Sequence, residues 1–225
     1  LESTEFDSVS IDSENSFNYI TEVDPDIVFV DVLDTSDSEV RKLRDMSAAV
    51  INLEDLGDGA EHADYVINAL YEENKSRRNY FFGAEYVVVE QDFRNHRSEI
   101  RQNVKHVLLT FGGSDPSNLS TRVVQEIVSA DPSYEFKLVL GPDFSHENKL
   151  SELSTEMLAR IDIIRESTDM PALMEWADVA VCSGGRTAYE LAATGTPAIV
   201  IAHNDREAGR MRDLDALGVI SHLGK

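Results

Sequence analysis

Short apolar runs alternate with helical patterns along this chain, and that alternation restricts the fold more than any other feature of the sequence. In the second half, five runs have the length and β-branched content of buried strands: residues 107–111, 136–140, 161–164, 179–182 and 198–201. Helical patterns separate them at residues 119–128, 147–158, 170–176 and 187–194. This order is typical of parallel α/β structure. It predicts a doubly wound sheet of five or six strands.

The first hundred residues repeat the alternation less completely. Strand-like runs lie at residues 8–11, 27–31, 49–53, 65–68 and 86–90, with helical patterns at 16–23 and 38–46. No strand with a glycine-bearing loop opens this half of the sequence, so we expect a Rossmann-like domain that is incomplete at its N-terminus. Residues 92–104 hold three arginines, one histidine and few apolar side chains, which is typical of a linker. We therefore expect two domains, residues 1–104 with the linker and residues 105–225, and a ligand in the cleft between them.

The charge balance disfavours nucleic acid as a partner. The chain carries 42 Asp and Glu against 20 Lys and Arg, a formal charge of −22, and a phosphate backbone repels such a surface. The carboxylates are spread through both halves, and only six of the twenty cations are lysine. This pattern resembles a cytosolic protein of a salt-loving microbe, whose carboxylates keep it soluble in concentrated salt. The alternative is an acidic protein of a mesophile.

Composition bears on compartment and cofactors as well. Apolar runs such as residues 107–111 and 198–202 are far shorter than the roughly 20 residues that cross a bilayer, and no signal-peptide pattern opens the sequence. We expect a cytoplasmic protein without a membrane span. The single cysteine, Cys182, cannot form an internal disulfide. Because the six histidines show no metal-ligand spacing either, we expect neither a metal nor a cofactor.

The first candidate binding motif follows the strand at residues 107–111. It reads Gly112-Gly113-Ser114-Asp115-Pro116-Ser117-Asn118 and leads into a helical pattern. Two glycines let the backbone turn sharply and approach a ligand, and Ser114 or Asp115 can cap the helix. Such a junction favours phosphate. A plain strand-to-helix turn is the alternative interpretation.

A second motif uses the same device at the end of another predicted strand. It reads Ser183-Gly184-Gly185-Arg186-Thr187-Ala188-Tyr189-Glu190. The guanidinium and the hydroxyl that it adds can both donate hydrogen bonds to phosphate oxygens. Neither motif matches the P-loop or the dinucleotide fingerprint, which disfavours ATP hydrolysis and NAD chemistry.

Polar residues at other predicted strand ends are weaker candidates. The segment 203–207, His-Asn-Asp-Arg-Glu, combines donors and acceptors on the same edge of the sheet. Asp31, Glu54 and Asp55 also follow strands, but in so acidic a chain a carboxylate there indicates little. Cys182 ends an apolar run and is expected to be packed rather than nucleophilic.

Taken together, four segments resemble a known family. They are residues 108–119, residues 170–193, Gly195-Thr196-Pro197 and, in the first half, residues 80–86. The combination resembles the UDP-sugar hydrolases of pseudaminic acid synthesis, which are relatives of the spore-coat polysaccharide SpsG proteins and of the MurG-like GT-B glycosyltransferases. The resemblance extends over residues 25–224 and is strongest in the second half.

The resemblance implies a GT-B-like fold, with two Rossmann-like doubly wound domains of which the second binds UDP. It places the first and second motifs at the pyrophosphate and Glu190 at the ribose hydroxyls, with residues of the segment 203–207 also among the UDP-binding residues. The implied UDP-binding residues are Gly112, Gly113, Ser114, Ser183, Gly184, Gly185, Arg186, Thr187, Glu190, Asn204 and Arg206. Where the hydrolases carry Asn-Gln, this chain has Asn204-Asp205-Arg206-Glu207, a form that resembles a subgroup fused behind CMP-sialic acid synthetase-like cytidylyltransferases. An upstream cytidylyltransferase domain is therefore a possible fusion partner.

The catalytic residues stay unassigned, because the Gly-x-Gly-His loop with which these hydrolases activate water is absent from the sequence. Our first hypothesis is a UDP-sugar-binding domain of nonulosonic acid (sialic or pseudaminic) or surface-polysaccharide synthesis, whose full-length form hydrolyses or transfers from a UDP-N-acetylated sugar. The second is a non-catalytic nucleotide-sugar-binding or scaffold module. A third is a true glycosyltransferase.

Overall fold

A computed structural model describes residues 16–46, 48–70, 78–129 and 132–225, in two compact units that divide between Tyr86 and Val87. The first unit contains a parallel sheet whose strands pair in chain order. Its elements are α1 (Ser16–Val23), β1 (Ile27–Asp31), α2 (Asp37–Asp45), β2 (Ala49–Leu53), β3 (Tyr65–Asn68) and β4 (Tyr80–Phe82). Val40 and Leu43 of α2 pack against Val50 and Val66 of the sheet. A capping box between Ser36 and Glu39 fixes the start of α2.

The sequence predicts most of this unit correctly, with one error. The strands at residues 27–31, 49–53 and 65–68 are confirmed. The strand predicted at residues 86–90 is wrong: β4 pairs with β3 instead, Gly83 ends it with φ +105°, and residues 87–90 lie outside any strand. Val88 is consequently 81% exposed. The strand predicted at residues 8–11 lies outside the described residues.

The second unit is a doubly wound domain, as predicted. Its elements are α3 (Gln91–Asn95), β5 (His106–Thr110), α4 (Leu119–Ile127), β6 (Glu135–Leu140), α5 (Glu147–Ser151), α6 (Thr155–Leu158), β7 (Ile161–Arg165), α7 (Met170–Trp176), β8 (Val179–Ser183), α8 (Thr187–Thr194), β9 (Ala198–Ile201), α9 (Asp205–Ala216) and β10 (Ser221–His222). The six strands are parallel in the order β10-β9-β8-β5-β6-β7. The order reverses between β5 and β8, the position at which such sheets bind ligands. The helix predicted at residues 147–158 is two helices, because Ser154 caps a new one at Thr155.

The predicted linker, residues 92–104, is attached to the second unit rather than free of structure. Its first residues, 92–95, form most of α3, and the Ser98 N–H donates to the Thr194 carbonyl at 2.9 Å. Arg101 pairs with Asp178, whose carboxylate also accepts the N–H groups of Lys105 and His106 at 2.8 Å. Burial opposes ionisation of Asp178, but these donors outweigh it and lower its pKa to about 2. The polar residues that indicated a linker therefore fasten this segment to β5 and β8.

Within the described part of the chain, no helix is both long enough and apolar enough to span a bilayer.

Candidate functional site

Three loops of the second unit meet at one edge of its sheet. They follow β5, β8 and β9, which are neighbours in the strand order. Because the strands are parallel, their carboxyl ends lie at the same edge, beside the point where the order reverses. We call them the first turn (residues 112–114), the second turn (residues 184–186) and the third loop (residues 202–204).

The first turn contains the two glycines that the sequence singles out. Gly112 has φ +79°, a conformation that L side chains rarely adopt. A Cβ atom on Gly112 would lie 3.7 Å from the Ser183 hydroxyl, so the first turn and the end of β8 are in contact distance. Ser114 is exposed. The N-cap residue of α4 is Asn118, which makes no side-chain cap bond. The first N–H groups of the helix, those of Leu119 and Ser120, donate instead to the buried carboxylate of Asp115 at 2.7 and 2.8 Å.

The second turn opens α8. Ser183 and Gly184 are buried, Gly185 and Thr187 are partly exposed, and Arg186 is exposed. Among the described residues, no hydrogen-bond acceptor is found for the backbone N–H groups of Gly185, Arg186 and Thr187. Three free N–H groups and the positive end of the helix dipole make this turn suited to an anion.

The third loop leads into α9, whose first residues contact the second turn. Asn204 caps α9 by accepting the Glu207 N–H at 3.0 Å, so its carbonyl oxygen has a structural role. The Glu207 carboxylate accepts the His203 N–H at 2.8 Å, and a Cβ on Gly184 would lie 3.0 Å from the Glu207 Cβ. Arg206 is exposed near the start of α9.

Gly141, directly after β6, supports the first turn from the other side. A Cβ there would lie 2.4 Å from both the Cα and the carbonyl oxygen of Gly113. The next residues continue the contact, because the Asp143 N–H donates to the Gly113 carbonyl at 3.0 Å. Glycine at position 141 is therefore required by close approach of two backbones.

Glu190 lies one turn into α8 and lines a cavity of about 680 Å³. The other walls are the α3 segment, through Glu90, Asp92, Phe93 and His96, and residues 167–171 after β7. Burial raises the pKa of Glu190, the guanidinium of Arg186 lowers it and Glu90 raises it further. The Glu190 carboxyl group is thus partly buried and lines a cavity beside the second turn whose other walls are largely acidic.

Of the remaining candidates, Glu54, Asp55 and Cys182 have structural roles. Glu54 accepts the N–H groups of Ala69 and Leu70 at 3.1 and 3.0 Å. The buried Asp55 accepts the Thr35 and Gly57 N–H groups, both at 2.9 Å, and the Asn52 amide. Asp31 is exposed. Cys182 is fully buried, and burial raises its pKa to about 12, which confirms that it is packed.

Sequence reasoning missed two features of this site. Gly141 was detectable, because a Gly-Pro pair after a strand is a turn signal. His203 was noted only as a member of the third loop, yet its side chain is 6% exposed and lies between the third loop and the first turn. No local pattern identifies such a residue, since its partners are distant in sequence.

The parallel sheets and their strand order are those of a GT-B-like fold. The MurG structure from Acinetobacter baumannii matches with a TM-score of 0.61 at 14% identity, covering 92% of this chain and 62% of that one. Residues 107–216 match the family model "Glycosyltransferase family 28 C-terminal domain". That match lies within the second unit, and the predicted resemblance to the SpsG and MurG-like proteins is confirmed.

Two curated relatives support the same assignment. The spore coat polysaccharide biosynthesis protein SpsG of Bacillus subtilis is 25% identical over 214 residues, which are 88% of this chain and 62% of SpsG. The UDP-N-acetylglucosamine--N-acetylmuramyl-(pentapeptide) pyrophosphoryl-undecaprenol N-acetylglucosamine transferase of Alkaliphilus metalliredigens is 29% identical over 101 residues, 43% of this chain and 28% of that enzyme. The chain thus spans less than two thirds of the length of either relative.

Proposed function

We propose that the second unit binds a UDP-sugar at the edge formed by its two glycine turns, and that the protein uses this donor in surface-polysaccharide or nonulosonic acid synthesis. The observation that carries the proposal is the approach of the two turns. Two glycine-bearing strand ends lie side by side, and one of them presents three free N–H groups at a helix start. A diphosphate needs several donors converging from more than one loop.

Charge and hydroxyl donors extend this anion site. The Arg186 guanidinium is exposed at the start of α8, and the Ser183 hydroxyl lies beside Gly112. When a sugar–phosphate bond breaks, negative charge grows on the departing UDP. Arg186 and the helix N-terminus would stabilise that charge without rearranging.

The cavity beside Glu190 suits the nucleoside. It adjoins the second turn through α8, and about 680 Å³ is enough for a nucleoside-sized ligand. An ionised carboxylate can accept hydrogen bonds from both hydroxyls of a ribose. In this arrangement Glu190 binds the ribose, while the diphosphate extends from it to the first turn.

The relatives support a sugar nucleotide over a free nucleotide. The name of the Alkaliphilus enzyme specifies UDP-N-acetylglucosamine and that of SpsG a polysaccharide pathway. Hydrolysis and transfer both start from the same bound donor, and a non-catalytic module would bind it without turnover. Measured UDP release from UDP-N-acetylglucosamine, with and without an acceptor sugar, separates these three cases.

Calorimetric titration of UDP into the 225-residue chain tests the proposal. Glu190→Ala should weaken binding about 30-fold, equivalent to about 2 kcal/mol, because two charge-assisted hydrogen bonds are lost. Glu126→Ala, which removes an exposed glutamate from α4, is the matched control and should leave the affinity unchanged. The nucleotide 2′,3′-dideoxy-UDP should bind wild type and Glu190→Ala alike. Absence of UDP binding by the wild type would contradict the proposal, and equal UDP affinity of the two proteins would remove Glu190 from the site.

A further inference from the structure

His203 is a buried histidine at the junction of the three loops. Its side chain is 6% exposed. The Nε2 atom lies 3.2 Å from the carbonyl oxygen of Phe111, the residue before the first turn. On the other side, its backbone N–H donates to the Glu207 carboxylate at 2.8 Å, and Glu207 packs on Gly184 of the second turn. His203 therefore connects all three loops through two hydrogen bonds and one packing contact.

The contact with Phe111 determines the tautomer of the ring. A carbonyl oxygen can only accept, so Nε2 must carry the proton that it donates. The other ring nitrogen, Nδ1, is buried with no hydrogen-bond partner among the described residues. The hydrogen bond through Nε2 thus orients this side chain, and the buried Asp115 carboxylate lies 4.0 Å from the same nitrogen.

Through the Phe111 carbonyl, His203 controls the direction of a backbone donor in the first turn. The Phe111 C=O and the Gly112 N–H belong to one planar trans peptide, so they point in opposite directions and rotate together. Gly112 has φ +79° and no side chain, so local sterics alone do not hold this peptide in one orientation. A bond that holds the carbonyl also holds the N–H.

We infer that His203 is a positioning residue for ligand binding, which orients the Phe111–Gly112 peptide and so fixes the first turn against the second. This inference rests on the proposed function for its consequence in affinity, since a turn that is free to rotate must be ordered when the diphosphate binds. Its structural part is independent of the ligand.

A pair of substitutions that differ by one methylene tests the inference. In His203→Gln the side-chain amide can reach the Phe111 carbonyl from near the Nε2 position, whereas in His203→Asn it is too short. We expect UDP affinity within about threefold of wild type for Gln and at least about tenfold weaker for Asn. His222→Asn, which removes a half-buried histidine from β10, is the control and should bind like wild type.

Backbone NMR of the ligand-free chain provides the second readout. The Gly112 N–H resonance should move in His203→Asn and stay near its wild-type position in His203→Gln, and the His203 ring should give the spectrum of the Nε2–H tautomer. If the wild type fails to bind UDP, the proposed function is wrong and the NMR comparison alone decides the role of His203. An unmoved Gly112 resonance in His203→Asn, or the same affinity loss in both variants, would overturn the inference.

Discussion

The partly buried carboxyl group of Glu190 affects the stability of the ligand-free chain. Burial raises the pKa of Glu190, and the nearby Glu90 acts in the same direction. Since the folded pKa lies above the ordinary value of 4.5, the folded chain binds this proton more tightly than the unfolded chain does. Stability is therefore lost as the pH rises from 4.5 through the folded pKa. Above the folded pKa the ligand-free chain bears the whole cost of an ionised, partly buried carboxylate.

Glu190→Gln should accordingly stabilise the ligand-free protein at pH 7. The gain in the free energy of unfolding should shrink as the pH is lowered and be nearly absent below pH 4.5, where Glu190 is protonated in both states. Urea unfolding across a pH series measures this difference. Glu126→Gln, at an exposed position on α4, should show little difference at any pH. A neutral-pH loss of stability in Glu190→Gln would mean that the carboxylate makes a favourable contact in the free chain.

At the scale of elements, the loop after β6 is the support of the first turn. The close approach of Gly141 and Gly113 leaves no room for a methyl group, because the atoms met by a Cβ at position 141 belong to the backbone. Gly141→Ala must therefore displace the turn or the loop.

We expect Gly141→Ala to lower the melting temperature by several degrees and to weaken UDP binding at least tenfold, although residue 141 contacts no ligand in the proposed site. Thermal melts and calorimetry measure the two effects. Gly209→Ala is the matched control: it lies in α9, the nearest atom to a new Cβ is the Arg212 Nη2 at 3.8 Å, and alanine is the better helix former. That variant should bind normally and melt no lower than wild type. Normal UDP affinity in Gly141→Ala would show that the position of the first turn is unimportant for binding.

Strand periodicity and turn residues are features of the local sequence, so they predict the strands that need only a short apolar run between turns. Residues 27–31, 49–53 and 198–201 form strands within the predicted bounds because each is a short apolar run between turn residues. Residues 86–90 have the same composition but no neighbouring strand to pair with, since β4 already occupies that edge of β3. Among the site residues, the glycine turns were visible in the sequence. The long-range contacts of His203, Glu207 and Gly141, with residues 111, 184 and 113, were not, because the order of the strands brings these distant residues together.

At the scale of the whole molecule, charge is the dominant property. The formal charge of −22 on 225 residues means that carboxylates repel one another in the folded state. Several described carboxylates are paired on the surface, as in Asp37–Arg41 and Glu147–Arg165. With 42 acids and 20 cations, at least half of the acids have no cation of their own.

The protein should therefore be more stable in molar KCl than in dilute buffer. At 1 M salt the Debye length is about 3 Å, so repulsion between separated carboxylates is screened. The melting temperature should rise across a KCl series. The same series in sorbitol, at matched osmolality, controls for the effect of the solute on water. A melting temperature that is flat or falls with KCl would favour the mesophilic interpretation of the acidic surface.

The position of Cys182 has a practical consequence. This thiol is the only one in the chain, it is fully buried, and it precedes Ser183 and the second turn. A thiol-specific reagent can reach it only when the structure packed around the end of β8 opens. The rate of alkylation therefore reports the rate of local opening around Cys182, without background from other thiols. If a nucleotide slows alkylation, the ratio of the rates with and without it measures how strongly the ligand holds the three loops together on the timescale of minutes to hours.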